Sequence, residues 1–232
     1  MSTTSISSAV LVPGVRPAWC ALFAGMLMLS PGCTYSAGKL LFMLGLGEGR
    51  LVPAEFKLTD GPLLIFVDDY RERMTSPLAA RYVFEELSQE LLRQKAAKKI
   101  IPLKTIDSLR QSHPNFNELS AREIGEIVGA KQVLWVEVQD FLADKQITNV
   151  SDAAYLNVTL KVLDPHETSR RSRVRLWPVS PTGHLVTTGI SGAKVAELKT
   201  PAAISKELAK KISVEIAKRF YDYHLGDFEK ER

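Results

Sequence analysis

Hydrophobic and polar positions divide this chain into short, well-punctuated elements. Leu63 to Val67 form an uninterrupted apolar run between Gly61-Pro62 and Asp68-Asp69, the pattern of a strand buried on both faces. Ser76 and Pro77 then supply an N-cap and an N1 proline for a helix with Leu78, Val83, Leu87 and Leu91 on its inner face. KKIIPL, residues 98–103, is a second short strand. In NELSAREIGEIVGA the cap is Ser120, the reciprocal capping-box residue Glu123, the staple Leu119 with Ile124, and the stop Gly129. This is the strongest local signal in the chain.

QVLWVEVQDFL predicts a long strand. AAYLNVTLKVL alternates Ala154, Leu156, Val158, Leu160 and Val162 against Tyr155, Asn157, Thr159 and Lys161, which predicts one buried and one wet face. RVRLWPV is expected to return as a third meander strand, with Pro178 at an edge or strand end. After Thr200-Pro201 a last helix carries Ile204, Leu208, Ile212, Ile216 and Phe220 on one face, backed by Lys206, Lys210, Lys211 and Lys218. The order is β-α-β-α-β-β-β-α, a mixed α/β class. The expected architecture is a compact three-layer-like domain with one open mixed sheet flanked by helices.

The amino-terminal residues follow a different rule. Residues 1–17 are rich in Ser and Thr, and Ala18 to Leu29 then contain no charge. Twelve helical residues span about 18 Å, short of a hydrocarbon core of about 30 Å, so this is a signal-peptide core rather than a span. It leads into LSPGC, with Gly32 before Cys33. That stretch resembles the lipobox of bacterial lipoproteins, in which the cysteine is acylated and becomes the new amino terminus, although Ser30 stands where a large aliphatic residue is usual. The resemblance implies signal cleavage after Gly32 and lipidation of Cys33. The alternative is a secreted protein cut near Ser36 or Ala37.

Two cysteines are present, Cys20 and Cys33. Acylation of Cys33 would leave the mature chain with neither free thiol nor disulfide, which suits an oxidising envelope. Several acyl chains, which the resemblance implies, satisfy the need for more than one anchor. The stretch 37–50 could form two helical turns, as a foot on the membrane surface or as a cover for one edge of the core. The expected organisation is a signal peptide over 1–32, a tether with a short amphipathic helix over 33–60, a mixed α/β domain over 61–223, and a polar tail over 224–232.

Removing residues 1–32, whose only charged side chain is Arg16, leaves 29 basic and 26 acidic side chains, a net charge of +3. That balance excludes a dedicated nucleic-acid binder, whose affinity comes from a concentrated positive field.

The strand, helix and short strand after Leu63, the words AREIGEIVGAKQVLWVEV and the following hairpin resemble the TolB amino-terminal and curli-secretion lipoprotein superfamily. The resemblance spans roughly half the mature chain. It implies a periplasmic α/β domain, an envelope transport or assembly role and the possibility of homo-oligomers. The paired membrane hairpins of the curli channel have no counterpart here, so a pore is not expected.

Candidate chemistry is sparse. Asp68 and Asp69 end the first strand, where two carboxylates could hold Mg²⁺ as in a receiver-like or phosphoryl-transfer domain. Asp140 and Lys161 are only loose stand-ins for the rest of a receiver site, and a solvated turn explains the acidic pair as well. His113, His166, His184 and His224 have no ligand spacing. Residues 189–192, GISG, lack the frame of a nucleophile elbow. Arg170, Arg171, Arg173 and Arg175, with Trp177, form a basic edge that could meet lipid phosphates or an acidic partner. The alternatives are a charge-protected edge and a Trp177 packed under the last helix.

The sequence therefore predicts a non-enzymatic, lipid-anchored envelope accessory without cofactor, metal or nucleic acid. It would face the periplasm and act through protein contacts. Because Thr34 rather than aspartate follows Cys33, the resemblance to sorted lipoproteins implies the outer membrane.

Overall fold

A computed structural model describes residues 50–74, 77–143, 152–168 and 174–225. The expected signal peptide over 1–32, with Gly32, Cys33, the stretch 37–49, the expected cap Ser76 and Arg170, Arg171 and Arg173 lie outside the described residues.

The described chain runs β1 (Leu51–Val52), β2 (Pro62–Asp68), α1 (Pro77–Arg93), β3 (Lys99–Ile100), α2 (Leu103–Ser112), a 3₁₀ turn (Phe116–Glu118), α3 (Ala121–Ile127) and β4 (Gln132–Leu142). It continues through β5 (Asp152–Leu163), β6 (Arg175–Trp177), β7 (His184–Ser191), α4 (Gly192–Leu198), α5 (Pro201–Ala217) and β8 (Tyr223–His224). The main sheet is ordered β3-β2-β4-β5, and β5 is flanked on its far side by β7 over most of its length and by β6 at its end. β2 pairs parallel with both β3 and β4, whereas β4/β5, β5/β6 and β5/β7 are antiparallel. The expected open mixed sheet, flanked by helices, is present.

β2 is apolar from Leu63 to Val67 because both of its faces are covered there. Leu63 and Ile65 join Val83, Leu87 and Leu91 of α1 and Ile204, Leu208, Ile212 and Ile216 of α5 in the larger core. Leu64 and Phe66 face Ile106 of α2 and Ala121 and Ile124 of α3 in the smaller one. β5 needs only one apolar face: Ala154, Leu156, Val158, Leu160 and Val162 are fully buried, while Tyr155, Asn157 and Lys161 are half-buried.

Helix α3 shows how completely local signals can agree. The Ser120 hydroxyl accepts from Glu123 N–H at 3.3 Å, and Ser120 N–H donates to the Glu123 carboxylate at 2.8 Å. At the other end Ala130 N–H reaches Gly125 C=O at 2.8 Å and Gly129 N–H reaches Glu126 C=O at 3.1 Å. This is a Schellman closure, with Gly129 at φ 72°.

Four expectations change. The strand over 98–103 shrinks to two residues, because Pro102 turns the chain and Leu103 begins α2. RVRLWPV contributes only β6; Pro178 has no N–H to continue the ladder, and the third full meander strand is β7. Leu78, expected on the inner face of α1, is 48% exposed. Finally, residues 51–54, expected to belong to a tether, are held to the domain: β1 pairs with β8, and Ala54 N–H donates to Asp222 at 2.8 Å. No described helix is long and apolar enough to cross a membrane.

Candidate binding cleft at the carboxyl end of β2

Adjacent parallel strands β2 and β3 send their chains to opposite faces of the sheet, β2 into α1 and β3 into α2 and α3. A cleft opens at such a switch point, outside the carboxyl ends of the strands. Two neighbouring cavities that share lining residues occupy it. One of about 290 Å³ lies between α1 and α2, over Ile65, Phe66 and Val67. The other, about 680 Å³, rises past Asp68 and Asp69 toward Trp135, Leu163 and α3. Phe66, Val67, Ala80 and Arg110 line both.

The acidic pair divides its roles. Asp69 accepts from Arg73 N–H and Met74 N–H, each at 2.8 Å, so both its oxygens hold the turn after β2. Asp68 accepts from the Trp135 indole at 3.0 Å. Burial pushes the Asp68 carboxyl pKa up, the indole bond opposes this, and the charges of Glu137 and Asp69 add to the rise. Lys161 lies 4.3 Å from the Trp135 ring centre and donates to Glu137 at 3.1 Å, with both side chains mostly buried. The structure thus gathers Asp68, Trp135, Lys161 and Glu137.

Asp140 is not part of this group. It lies beyond a ladder irregularity between Val138 and Asp140 and accepts from Tyr155 at 3.1 Å. That bond, with burial and the Asp140 charge behind it, raises the Tyr155 pKa.

The four histidines are dispersed. His113 follows α2, His166 ring nitrogen lies 3.0 Å from Ala130 C=O, His184 stacks on Trp177, and His224 belongs to β8. Among the described residues no three His, Cys, Asp or Glu side chains are placed to share a metal ion. Ser191 of the GISG segment caps α4 by accepting from Lys194 N–H.

Trp177 is 8% exposed and packs edge-on against Phe220 at 5.6 Å. Its indole belongs to the core beneath the end of α5, so the apolar area expected at a partner edge is turned inward. Arg175 donates to Pro178 C=O at 3.0 Å and to Val179 C=O at 3.3 Å, holding the turn after β6. Arg110 was not among the sequence candidates. Its signal was available in Leu103, Ile106 and Leu109, spaced three apart behind Pro102.

No family model matches the chain, that of the TolB superfamily included, and no curated protein sequence matches it. Among solved structures it is similar to lipoprotein GNA1162 from Neisseria meningitidis, at 10% identity and a TM-score of 0.37 over 56% of this chain and 81% of that one. It is also similar to the PelC dodecamer from Paraburkholderia phytofirmans, at 13% identity and TM-score 0.33 over 74% and 96%. Hypothetical protein CT253 from Chlamydia trachomatis matches at 14% identity and TM-score 0.36 over 70% and 98%.

Proposed function

We propose that this chain is a lipid-anchored cell-envelope protein, facing the periplasm from the outer membrane, whose α/β domain serves envelope assembly or transport by holding a partner rather than by turning over a substrate. One observation supports binding over chemistry. Asp68 and Asp69, which line the cleft, are both engaged in the protein's own structure, beside an apolar lining that includes Phe66, Trp135 and Leu163. Each Asp69 oxygen holds one backbone N–H of the loop, from Arg73 and Met74, and Asp68 holds the Trp135 indole. The anchor rests on Gly32-Cys33 after an apolar core of signal-peptide length.

Metabolic labelling with an alkyne fatty acid tests the anchor: the wild-type protein should be marked and Cys33→Ser should not. An unlabelled, freely soluble wild type would remove the anchored reading. For the cleft, Mg²⁺ should leave the Tm of the full-length protein unchanged. A rise in Tm abolished by Asp68→Ala and by Asp69→Ala would show a cation site there and favour the metal-dependent receiver-like or phosphoryl-transfer reading.

A further inference from the structure

β2, β3 and β4 run parallel and begin at one end of the domain: Pro62 pairs with Lys99, and Leu63 with Gln132. The cleft opens toward the other end, past Asp68 and Asp69. Lysines gather where the strands begin. Lys95 follows α1, Lys98 and Lys99 lead into and open β3, and Lys131 N–H donates to Pro62 C=O at 2.7 Å. All four side chains are exposed. Lys98 is paired with Asp60. Among the described residues no carboxylate lies within ion-pair distance of Lys95, Lys99 or Lys131.

Exposed apolar side chains lie at the same end. Leu92 is 45% exposed in the last turn of α1, and its C=O accepts from Lys95 N–H at 3.1 Å. Leu51 and Leu225, 55% and 56% exposed, belong to or follow the β1/β8 pair, where Leu225 N–H donates to Arg50 C=O at 3.2 Å. The chain between β1 and β2 stays here as well. Glu55 N–H donates to Arg219 C=O after α5, and Thr59 N–H donates to the side chain of Gln132 at the start of β4. Arg50 is the first described residue. Residues 34–49 separate it from Cys33, and such a length of chain reaches about 60 Å at most.

We infer that this end of the domain rests on an anionic phospholipid surface. Lys95, Lys99 and Lys131 meet lipid phosphates, Leu51, Leu92 and Leu225 meet the headgroup boundary, and the cleft opens away from the membrane. The inference deepens the anchored reading above and rests on it. Lysines near an anionic surface add an attraction that salt screens, and leucines beside them add apolar burial at the boundary. The anchor confines the domain to a shallow layer above the lipid, so individually weak contacts suffice. An acidic protein could meet the lysines, but it would have to displace a surface that the anchor already keeps within reach.

Residue-resolved hydrogen exchange on the full-length protein in nanodiscs tests this. The probe is phosphatidylglycerol, at about 30% of the lipid in phosphatidylcholine discs, with pure phosphatidylcholine discs as control. Phosphatidylglycerol should slow exchange over residues 94–99 about tenfold and leave residues 69–73, beside the cleft, unchanged. Lys95→Glu, Lys99→Glu and Lys131→Glu combined should abolish the difference, as should about 0.5 M NaCl. None of the three lysines is in an ion pair with a described residue, so the Tm of the triple variant should stay close to that of the wild type. Lys99→Glu alone is the milder variant and should lose part of the difference.

Equal exchange over residues 94–99 in the two kinds of disc would overturn the inference, as would slowing confined to residues 69–73 or a difference that survives charge reversal. The anchor is read separately, by fatty-acid labelling. A labelled protein whose residues 94–99 exchange equally in both discs would keep the anchor and remove this surface. An unlabelled protein that still binds phosphatidylglycerol vesicles, and loses them on charge reversal, would keep the surface and remove the anchor.

Discussion

The Trp135 indole N–H donates to Asp68 at 3.0 Å across the β2/β4 pair. Trp135 stands opposite Phe66 in register, and Asp68 stands opposite Glu137, so the bond runs diagonally between neighbouring positions on one face. It gives a half-buried carboxylate its only strong side-chain donor among the described residues, beside another acid. The indole bond offsets part of what burial costs the charged form of Asp68.

That arrangement has a sign. A carboxyl whose pKa is raised by folding contributes stability that is fully present below its unfolded pKa of about 4 and is lost as pH rises through the folded value. Asp222 is the opposite case: bonds from Ala54 N–H and then Lys57 lower its pKa. Its contribution is present above about pH 4 and is lost on acidification. Asp68→Asn should therefore stabilise the protein at pH 7, by ~0.5 kcal/mol or less because the carboxylate is half in water, and should do nothing at pH 3. Asp222→Asn should destabilise at pH 7 and converge with wild type in acid. Urea titrations from pH 3 to 7 would decide it, and parallel profiles for the two variants would contradict both assignments.

The phrase IGEIVGA contains two glycines that are required for different reasons. A Cβ at Gly125 would lie 2.2 Å from Val133 Cγ2 and 3.2 Å from Pro165 Cβ, so α3 could not sit this close to β4. At Gly129 a Cβ meets nothing within 4 Å, but the backbone is left-handed at φ 72°. Gly125→Ala should cost about 1–3 kcal/mol through overpacking, despite the better helix propensity of alanine. Gly129→Ala should cost about 1 kcal/mol through strain alone. Gly129→Asn should recover part of that loss, and Gly125→Ser should not. Denaturant midpoints for the four variants make the comparison, and recovery at Gly125 by serine would show that the close approach is not what excludes a side chain.

Much of the fold was legible because local and tertiary demands coincide. Ser120 and Glu123 form both halves of their capping box, and Ile204, Leu208, Ile212 and Ile216 are all fully buried. The failures occur where one residue has two uses. In KKIIPL the apolar run suggests strand throughout, but Pro102 is both a strand terminator and the residue preceding α2. HLVTTGIS holds only a few strong strand formers and a glycine, so β7 takes its register from β5 rather than from its own pattern. The cleft was half legible. Asp68 and Asp69 mark its position, and the helical spacing of Leu103, Ile106 and Leu109 could have placed Arg110, but Trp135 reaches it through pairing of β4 with β2, which no local pattern records.

Trp177 and Arg175 make opposite predictions although both were read as one basic edge. Trp177→Ala should remove a large part of the packing beneath Phe220 and cost about 3–5 kcal/mol. Arg175→Ala loses two bonds to a solvent-facing turn and should cost about 1 kcal/mol. Thermal unfolding followed by near-UV circular dichroism separates them. A Trp177→Ala protein as stable as wild type would return the indole to the list of partner contacts.

Among the described residues β7 has a strand partner on one side only, and Lys211 reaches over it. β7 has no proline and no Asp, Glu, Lys or Arg, and Leu185 on it is 62% exposed. Such an edge invites pairing with a second chain. Two β7 strands pairing antiparallel about Thr187 would place Leu185 opposite Gly189, an apolar side chain against a bare backbone. Lys211 of α5 reaches over and donates to Gly189 C=O at 3.3 Å, which occupies an outward carbonyl and sets a charge at the centre of that contact. Lys211→Ala should therefore leave stability within about 0.5 kcal/mol of wild type, as expected for an exposed site, while raising self-association. Sedimentation velocity over a concentration series is the measurement. Lys211→Arg keeps both charge and donor and should behave as wild type. If Lys211→Ala sediments as the wild-type protein does at every concentration, the lysine is an ordinary surface bond, and another feature protects the β7 edge.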